Sequence, residues 1–286
     1  MYAFNYKTRE NNINMLIKPL YFEAVRHLYR FIMIPEYRKW CFLDAKLSKS
    51  KRFKQLKVHV NGWDLIIPDT ASFLSSYREI FVDNIYNFES VTSTPKILDL
   101  GANIGLSILF FKKLFPESKI TALEPDPNIF NCLRQNIHGN GFKDVNLINK
   151  AAWISDTVLK FDADGADGGR VVDNKKENLL EVEAIDVKKL LSENEFDFLK
   201  MDIEGAESEV FPACKEYLSN LNYIFLEYHS IIGQNQNLSE ILGILNSEGF
   251  RVHIQSIMFS DAPFIIKRNI SGFDNQLNIF AWKDNV

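Results

Sequence analysis

The chain has 286 residues, of which 46% are hydrophobic and 24% are charged, an ordinary globular composition that can bury a full core. The net charge of −4 is uneven: residues 1–60 carry 13 Lys and Arg against 4 Asp and Glu, giving +9, whereas the remainder carries 20 against 33, giving −13. This balance argues against a protein that coats nucleic acid. The three cysteines, Cys41, Cys132 and Cys214, are far apart, which predicts a cytoplasmic protein with reduced cysteines rather than a disulfide framework or a metal site.

The first part of the chain, residues 1–56, is predicted to form a basic helical extension. Apolar residues recur at helical spacing over 13–35, with an interruption near Pro19, and 46–57 reads as a basic connector. We expect this extension to form a helical cap over the active site, or alternatively a basic amphipathic helix that touches anionic lipid. No apolar run is long enough to span a bilayer, so any membrane contact would be peripheral.

Residues 57–286 are predicted to form one α/β domain. Residues 57–68 indicate a hairpin around Asn61-Gly62, and 70–88 indicate a helix. From Ile97 onward, strands alternate with helices, which predicts a doubly wound, mostly parallel sheet of seven strands. The predicted strands are 97–100, 119–123, 145–151, 196–201, 223–228, 251–256 and 277–282, and the predicted helices are 104–115, 127–138, 205–219 and 237–248.

Two further features are expected within this domain. Residues 158–161 are predicted to return as a hairpin strand, and 162–176 are predicted to form a polar, glycine-rich loop. The two closing strands are expected to form an antiparallel edge. A cofactor-binding core would lie at about residues 95–230.

The segment Ile97–Gly105, with the sequence ILDLGANIG, joins a short strand to a helix through a glycine turn. A dinucleotide fingerprint that starts at Gly101 would need glycine where Asn103 and Leu106 stand, and the Gly-Lys-Ser/Thr of a P-loop does not occur. The carboxylate of Asp99 repels a pyrophosphate but suits a cationic ligand with an ammonium or sulfonium group. This points to S-adenosylmethionine, with a nicotinamide-dependent oxidoreductase as the alternative.

The next two strand ends extend this predicted site. Glu124 follows Gly101 by 23 residues, close to the offset at which an acidic residue hydrogen-bonds ribose hydroxyls. Its alternative role is to cap the following helix. Pro125 stiffens the same corner, and the small side chains of Ala151 and Ala152 would let an adenine ring lie flat against the backbone.

The last two strand ends carry acidic residues and a histidine. Asp202 and Glu204 lie where a helix begins, and Asp202 is expected to face Asp99 and the ligand. The structural alternative is that these carboxylates occur here because they favour helix N-termini. No metal is expected, because alternate residues such as Asp202 and Glu204 diverge. His229, with Glu227 nearby, is a candidate general base, and its alternative is a structural histidine.

Taken in order, these motifs resemble the FkbM-type family of class I S-adenosylmethionine-dependent methyltransferases. The resemblance covers about residues 70–230. It is carried by DLGANIG at 99–105, ALEPDP at 122–127, NKAAW at 149–153, the acidic loop of Asp202, Glu204, Gly205 and Glu207, and LEYH at 226–229.

The resemblance implies a Rossmann-like methyltransferase domain. Its members are mostly O-methyltransferases of glycans, lipopolysaccharide or natural products, so the implied acceptor is a small molecule or glycan. The Asn/Asp-Pro-Pro-aromatic motif of nucleobase methylation is replaced by MDIEG, so no nucleic-acid substrate is expected. The base would be His229 or a carboxylate of the loop with Asp202 and Glu204; a non-catalytic scaffold is the remaining alternative. Asp99, Gly101, Ala102, Asn103 and Gly105 would surround the methionine part of the cofactor, and Glu124 would bind its ribose.

Overall fold

A computed structural model describes residues 23–163, 165, 168–171, 179–258, 262–265 and 272–284. The predicted helical pattern over 13–22, with its interruption at Pro19, lies outside these residues. So do residues 164, 166–167 and 172–176 of the predicted loop.

Two helices open the described part of the chain: α1 covers 23–33 and α2 covers Pro35–Leu47. They break at Ile34, which is extended with φ −110° and ψ 104°. A residue before proline is disfavoured in the helical region, and proline is well suited to the first helical position, so Pro35 explains both the break and the new start. The sequence analysis did not predict α2 as a helix of its own.

The predicted hairpin is confirmed as β1 (Leu56–Val60) and β2 (Trp63–Ile67). Asn61 and Gly62 have φ values of 53° and 84°, as a two-residue hairpin turn requires. The next helix, α3 (Thr70–Tyr77), continues as a π-helical turn (Arg78–Val82), so the predicted helix over 70–88 ends earlier than expected.

The remaining elements follow the predicted alternation, with β9 and α6 as additions that were not predicted. In chain order they are β3 (Lys96–Leu100), α4 (Leu106–Leu114), β4 (Lys119–Leu123), α5 (Pro127–Gly139), β5 (Asn146–Ile148), β6 (Ala151–Trp153), β7 (Thr157–Asp162), β8 (Arg170–Val171), β9 (Leu180–Asp186), α6 (Val187–Glu193), β10 (Phe198–Met201), α7 (Glu207–Ala213), a 3₁₀ helix (Lys215–Asn220), β11 (Tyr223–Ile231), α8 (Leu238–Ser247), β12 (Arg251–Ser256) and β13 (Phe273–Trp282).

The central sheet has seven strands in the order β12-β13-β11-β10-β3-β4-β5. The run from β11 to β5 is parallel, whereas β13 is antiparallel to both of its neighbours. The final strand therefore lies inside the sheet, between β11 and β12. Because the central strands are parallel, the carboxyl ends of β3, β4, β10 and β11 meet at one edge, where open α/β sheets bind ligands.

A second, smaller sheet has the order β6-β9-β7-β8. It divides the predicted strand over 145–151, because β5 ends at Ile148 and Ala151 begins β6, which pairs with β9. β8 also places two residues of the predicted loop in a strand. The alternation of buried Val182 and Ala184 with exposed glutamates explains why β9 forms a strand with one buried face.

The sheet is covered on both faces. Ile97 and Phe198 belong to one hydrophobic cluster, and their neighbours Leu98 and Leu199 belong to the other, because successive strand residues point to opposite faces. The first cluster continues through α3, the hairpin and α2, so the N-terminal extension packs on the same core. None of the helices within the described residues is long and apolar enough to cross a membrane.

Candidate active site

A cavity of about 450 Å³ lies at the carboxyl ends of the central strands. Its walls are α3 and the π-helical turn, the glycine turn after β3, the ends of β4, β10 and β11, and the second sheet. No residue of α1 or α2 lines it, so the predicted cap is not formed by these helices. The predicted site residues that line it are Gly101, Ala102, Asn103, Glu124, Pro125, Ala151, Ala152, Asp202 and Glu204.

The glycine turn is held by backbone contacts. The N–H groups of Gly101 and Ala102 donate to the carbonyl oxygen of Leu123, at 3.1 and 2.8 Å. Gly101 has φ +84°, and a Cβ there would lie 1.8 Å from the carbonyl oxygen of Asp202. Glycine is therefore needed both for the conformation and for the approach of the β10 loop.

Gly105 lies at the contact between two helices, and its predicted contact with the cofactor stays a prediction. It precedes α4 with φ +92°, and a Cβ there would lie 2.8 Å from Leu133 and 2.9 Å from Ile137 of α5. Gly105 does not line the cavity. Its role in this structure is to let α4 and α5 pack closely.

Asp99 is also placed behind the cavity rather than at its surface. Its side chain is fully buried; Oδ2 accepts a hydrogen bond from Ser107 Oγ at 2.5 Å, and Oδ1 lies 3.2 Å from Lys200 Nζ. The carboxylate therefore faces an internal ammonium group. Its contact with the cofactor stays a prediction.

Lys200 is a buried lysine at the cavity wall that the sequence analysis did not single out. Its Nζ donates to the carbonyl oxygen of Gly101 at 2.7 Å and lies 3.6 Å from Asp202 Oδ2. Burial acts to lower the pKa of Lys200, but the charges of Asp99 and Asp202 outweigh it and the pKa is raised. The available signal was a lysine inside the apolar strand FLKM, where a charge needs a partner.

Glu124 ties the glycine turn to the next strand end. Its Oε2 accepts from the Asn103 N–H at 3.0 Å, and its Oε1 accepts from the Asp126 N–H at 2.9 Å. Burial raises the pKa of Glu124 to about 8. Each carboxylate oxygen has two lone pairs, so both can accept a further hydrogen bond from a ligand in the cavity.

The second sheet supplies an apolar wall opposite these polar groups. Ala151 and Ala152 open β6 and are buried, and Phe161 of β7 lines the cavity beside them. Phe161 was not predicted as a site residue, because β6 and β7 were not expected to curl over the strand ends. The small side chains and the ring together leave a surface that suits a flat ligand group.

Three carboxyl groups converge at the ends of β10 and β11: Asp202, Glu204 and Glu227 all line the cavity. The Asp202 side chain keeps 25% of its surface exposed. Burial, followed by the charge of Glu227, raises the pKa of Asp202 to about 7. Burial also raises the pKa of Glu204, which has a left-handed φ of 55°.

His229 lies beneath these carboxyl groups and does not line the cavity. Its side chain is fully buried, with Nδ1 3.3 Å from Glu207 Oε1 and Nε2 3.5 Å from Glu227 Oε1. Burial acts to lower the pKa of His229, but the carboxylates around it, with Glu207 foremost, raise it well above its ordinary value. The buried position and the carboxylate partners of His229 fit the structural alternative, and its role as a base stays a prediction.

Distance alone would let Asp202, Glu207 and His229 hold a cation, since their ligand atoms lie within 4.8 Å of one another. However, both oxygens of Glu207 already accept backbone N–H groups, from Ile203 at 2.7 Å and Gly205 at 2.9 Å. The ammonium of Lys200 and the imidazolium of His229 already supply positive charge to the cluster.

Comparison with known proteins identifies the family of this chain. The model of the methyltransferase FkbM domain family matches residues 99–252. Methyltransferase sdnD of Sordaria araneosa is 44% identical over 61 residues, which are 21% of this chain and 24% of that protein. The 31-O-demethyl-FK506 methyltransferase FkbM of Streptomyces tacrolimicus is 25% identical over 231 residues, with 68% of this chain and 85% of that protein covered.

One further protein and one solved structure are also similar to this chain. The 2-O-methyltransferase NoeI of Sinorhizobium fredii is 26% identical over 155 residues, covering 47% of this chain and 63% of that protein. The solved structure of methyltransferase FkbM from Methylobacillus flagellatus KT is 12% identical with a TM-score of 0.44, covering 88% of this chain and 60% of that chain. Because the family model spans more than half of the sequence, including the glycine turn and the acidic strand ends, the chain belongs to the FkbM methyltransferase family, with S-adenosylmethionine as its expected cofactor.

Proposed function

We propose that this protein transfers a methyl group to a hydroxyl oxygen of a small-molecule or glycan acceptor. The observation that carries the proposal is one continuous cavity in which Glu124 of the cofactor side and Asp202 of the acidic side both lie at the surface. The names of two relatives, a 31-O-demethyl-FK506 methyltransferase and a 2-O-methyltransferase, support oxygen as the atom that is methylated.

The residues at the glycine turn fit S-adenosylmethionine. The carboxylate of Glu124 can accept hydrogen bonds from two ribose hydroxyls, and the absence of a side chain at Gly101 leaves backbone facing the cavity. Ala151 and Ala152 offer the apolar surface that an adenine ring needs. When bound, the cofactor supplies a methyl group activated by its sulfonium charge.

The proposed general base is Asp202. A carboxyl group with a pKa near 7 is ionised to a useful extent at neutral pH and is still basic enough to take a proton from a hydroxyl group in the transition state. Lys200, at 3.6 Å, and the imidazolium of His229 below the cluster would hold this carboxylate in place. Lys200 and His229 are therefore positioning residues in this scheme.

The acceptor would lie against α3 and the π-helical turn. This wall is rich in groups that hydrogen-bond, which suits an acceptor with several hydroxyls. The residues that contribute are Ser72, Ser75, Ser76 and Glu79, and Tyr86, which follows the turn, lines the cavity as well.

The test incubates the purified chain with S-adenosylmethionine and a panel of sugars, sugar nucleotides and hydroxylated natural products, and measures S-adenosylhomocysteine. We expect release above the acceptor-free rate for at least one hydroxylated acceptor, and none for the same acceptor already methylated on that oxygen. Cofactor binding without release for the whole panel would instead support the non-catalytic scaffold. Methylation of a nitrogen would contradict the proposal.

A further inference from the structure

Helix α1 presents two faces of different character. On one face, His27 Nδ1 lies 2.6 Å from the Tyr37 hydroxyl, and Arg30 donates to Asp83 at 2.6 Å, which fixes the helix on the domain. The opposite face is an apolar stripe that stays 46–61% exposed. This exposed stripe consists of Val25, Leu28, Tyr29, Ile32 and Met33.

The spacing of the exposed stripe is i, i+3, i+4, i+7 and i+8, which puts all five side chains on one side of the helix. Such a stripe ordinarily faces a hydrophobic core. Here no residue that the structure describes covers it. The ring of Phe42 in α2 is also exposed and lies 6.0 Å from the ring of Phe31 in α1. A contiguous apolar surface of this kind marks an interaction site.

A basic segment runs from the end of α2 into β1 and adds an independent observation. No Asp or Glu occurs over 45–63, and the exposed lysines of this stretch form no ion pair with any residue that the structure describes. The aromatic ring of Phe53, in the same segment, is 60% exposed. The unpaired lysines of this basic segment are Lys46, Lys49, Lys51, Lys54 and Lys57.

The basic segment is anchored at the rim of the cavity. Arg52 Nε donates to both carboxylate oxygens of Asp69, at 2.7 and 2.8 Å, and Asp69 lines the cavity. The Phe53 N–H donates to the same carboxylate at 2.9 Å. The cationic and aromatic side chains are therefore held on a fixed turn beside the active site.

We propose that the exposed stripe of α1 and the basic segment together bind the surface of an anionic lipid membrane. An amphipathic helix with apolar residues on one side inserts into the headgroup region, and nearby lysines add attraction to anionic lipids. Stable peripheral binding needs two such signals, and the chain carries both, one in the exposed stripe of α1 and one in the basic segment. This inference goes beyond the proposed reaction and does not depend on it.

Charge favours a membrane over a second copy of the chain. A two-fold dimer through this face would bring the same unpaired lysines of both copies together. The whole chain has a net charge of −4, so attraction to anionic lipid must come from this local surface rather than from the overall charge.

The test is co-sedimentation of the full chain with vesicles of phosphatidylcholine mixed with phosphatidylglycerol, compared with phosphatidylcholine alone. We expect binding to the anionic vesicles that weakens as salt is added. The double variant Leu28→Ser/Ile32→Ser and the triple variant Lys49→Gln/Lys51→Gln/Lys54→Gln should each weaken it at least tenfold. Because these side chains are exposed, both variants should keep the wild-type thermal midpoint.

The matched controls are Val91→Ser, an exposed apolar residue elsewhere, and Lys119→Gln/Lys143→Gln/Lys215→Gln, which removes the same charge from other surfaces. Both should bind anionic vesicles like the wild type. The proposal would be overturned by absent binding, by equal binding to neutral vesicles, or by wild-type binding of the two test variants. A dimer in solution that dissociates in Leu28→Ser/Ile32→Ser would show a second copy as the occupant and would also overturn it.

Discussion

The backbones of Gly101 and Asp202 approach so closely that a methyl group on Gly101 would lie 1.8 Å from the Asp202 carbonyl oxygen. The turn that follows β3 and the loop that follows β10 are therefore packed backbone to backbone. Lys200 bridges the same two loops, because its ammonium donates to the Gly101 carbonyl and faces the Asp202 carboxylate. The glycine turn and the acidic loop are therefore held together at one wall of the cavity.

Gly101→Ala should abolish cofactor binding and destabilise the fold. A left-handed φ of +84° costs a side chain about 1–3 kcal/mol, and the clash with the Asp202 carbonyl forces the two loops apart. Gly243→Ala is the control, because Gly243 lies in α8 with open space around it and should gain about 0.5–1 kcal/mol. Denaturant unfolding and calorimetric titration with S-adenosylmethionine measure both effects; wild-type-like binding by Gly101→Ala would refute the packing argument.

Glu124→Gln should weaken cofactor binding at least tenfold, or about 1.4 kcal/mol. The amide replaces an acceptor with a donor that faces the backbone N–H groups of Asn103 or Asp126. Since hydroxyl donors favour the ionised form and the pKa of Glu124 is about 8 without ligand, wild-type affinity should rise with pH towards 8 and binding should release a proton. Titrations in buffers of different ionisation enthalpy detect this proton. The control Glu117→Gln, on the surface, should retain the pH dependence of cofactor affinity. A wild-type affinity that does not change with pH would contradict the assignment of Glu124 to the cofactor.

Asp202→Asn should reduce kcat at least a hundredfold while cofactor affinity changes little, because a general base contributes about 10²–10⁴-fold. The base must be ionised, so wild-type kcat/KM should rise with pH to a plateau above about 7, and the variant should lack this limb. Asp284→Asn is the surface control. If kcat/KM still rises with pH in Asp202→Asn but no longer does so in His229→Gln, the general base is His229 and not Asp202.

Lys200→Met should destabilise the protein by about 3–5 kcal/mol at neutral pH, because it removes the cation shared by the fully buried Asp99 and the half-buried Asp202. Without the ammonium, the folded-state pKa of Asp202 should rise further. A carboxyl group with a raised folded pKa loses stability as pH rises, so the defect should be larger at pH 8 than at pH 5. Unfolding by urea at both pH values measures it. The free energy of unfolding of the control Lys119→Met should stay within about 0.5 kcal/mol of the wild-type value. An equal loss of stability in Lys200→Met at pH 5 and pH 8 would contradict the pairing of Lys200 with the two carboxyl groups.

Local sequence pattern was enough for much of the fold. The hairpin at Asn61-Gly62 follows from turn chemistry, and the parallel sheet follows from strands that alternate with helices. The second sheet could not be derived in this way. Its pairing of β6 with β9 joins residues that are more than 30 positions apart, and short strands carry too little periodicity to reveal such a partner.

The sequence predicted those residues of the candidate site whose place at the cavity depends only on the backbone. Gly101, Glu124 and Asp202 end strands that must meet at one edge. Side-chain direction was the part that the sequence could not give. Asp99 contacts Lys200, and His229 is buried against Glu207 and Glu227. Each position depends on a partner that lies far away in the chain.

The most direct test of the account follows an isotopically labelled methyl group from S-adenosylmethionine to the acceptor by NMR, with the wild type and Asp202→Asn side by side. Methyl carbons bound to oxygen, nitrogen and carbon have distinct chemical shifts, so the product identifies the atom that is methylated. We predict an oxygen-bound methyl signal with the wild type and its near-complete loss with Asp202→Asn. A methyl signal on nitrogen or carbon, or an undiminished oxygen-bound signal with Asp202→Asn, would contradict the account.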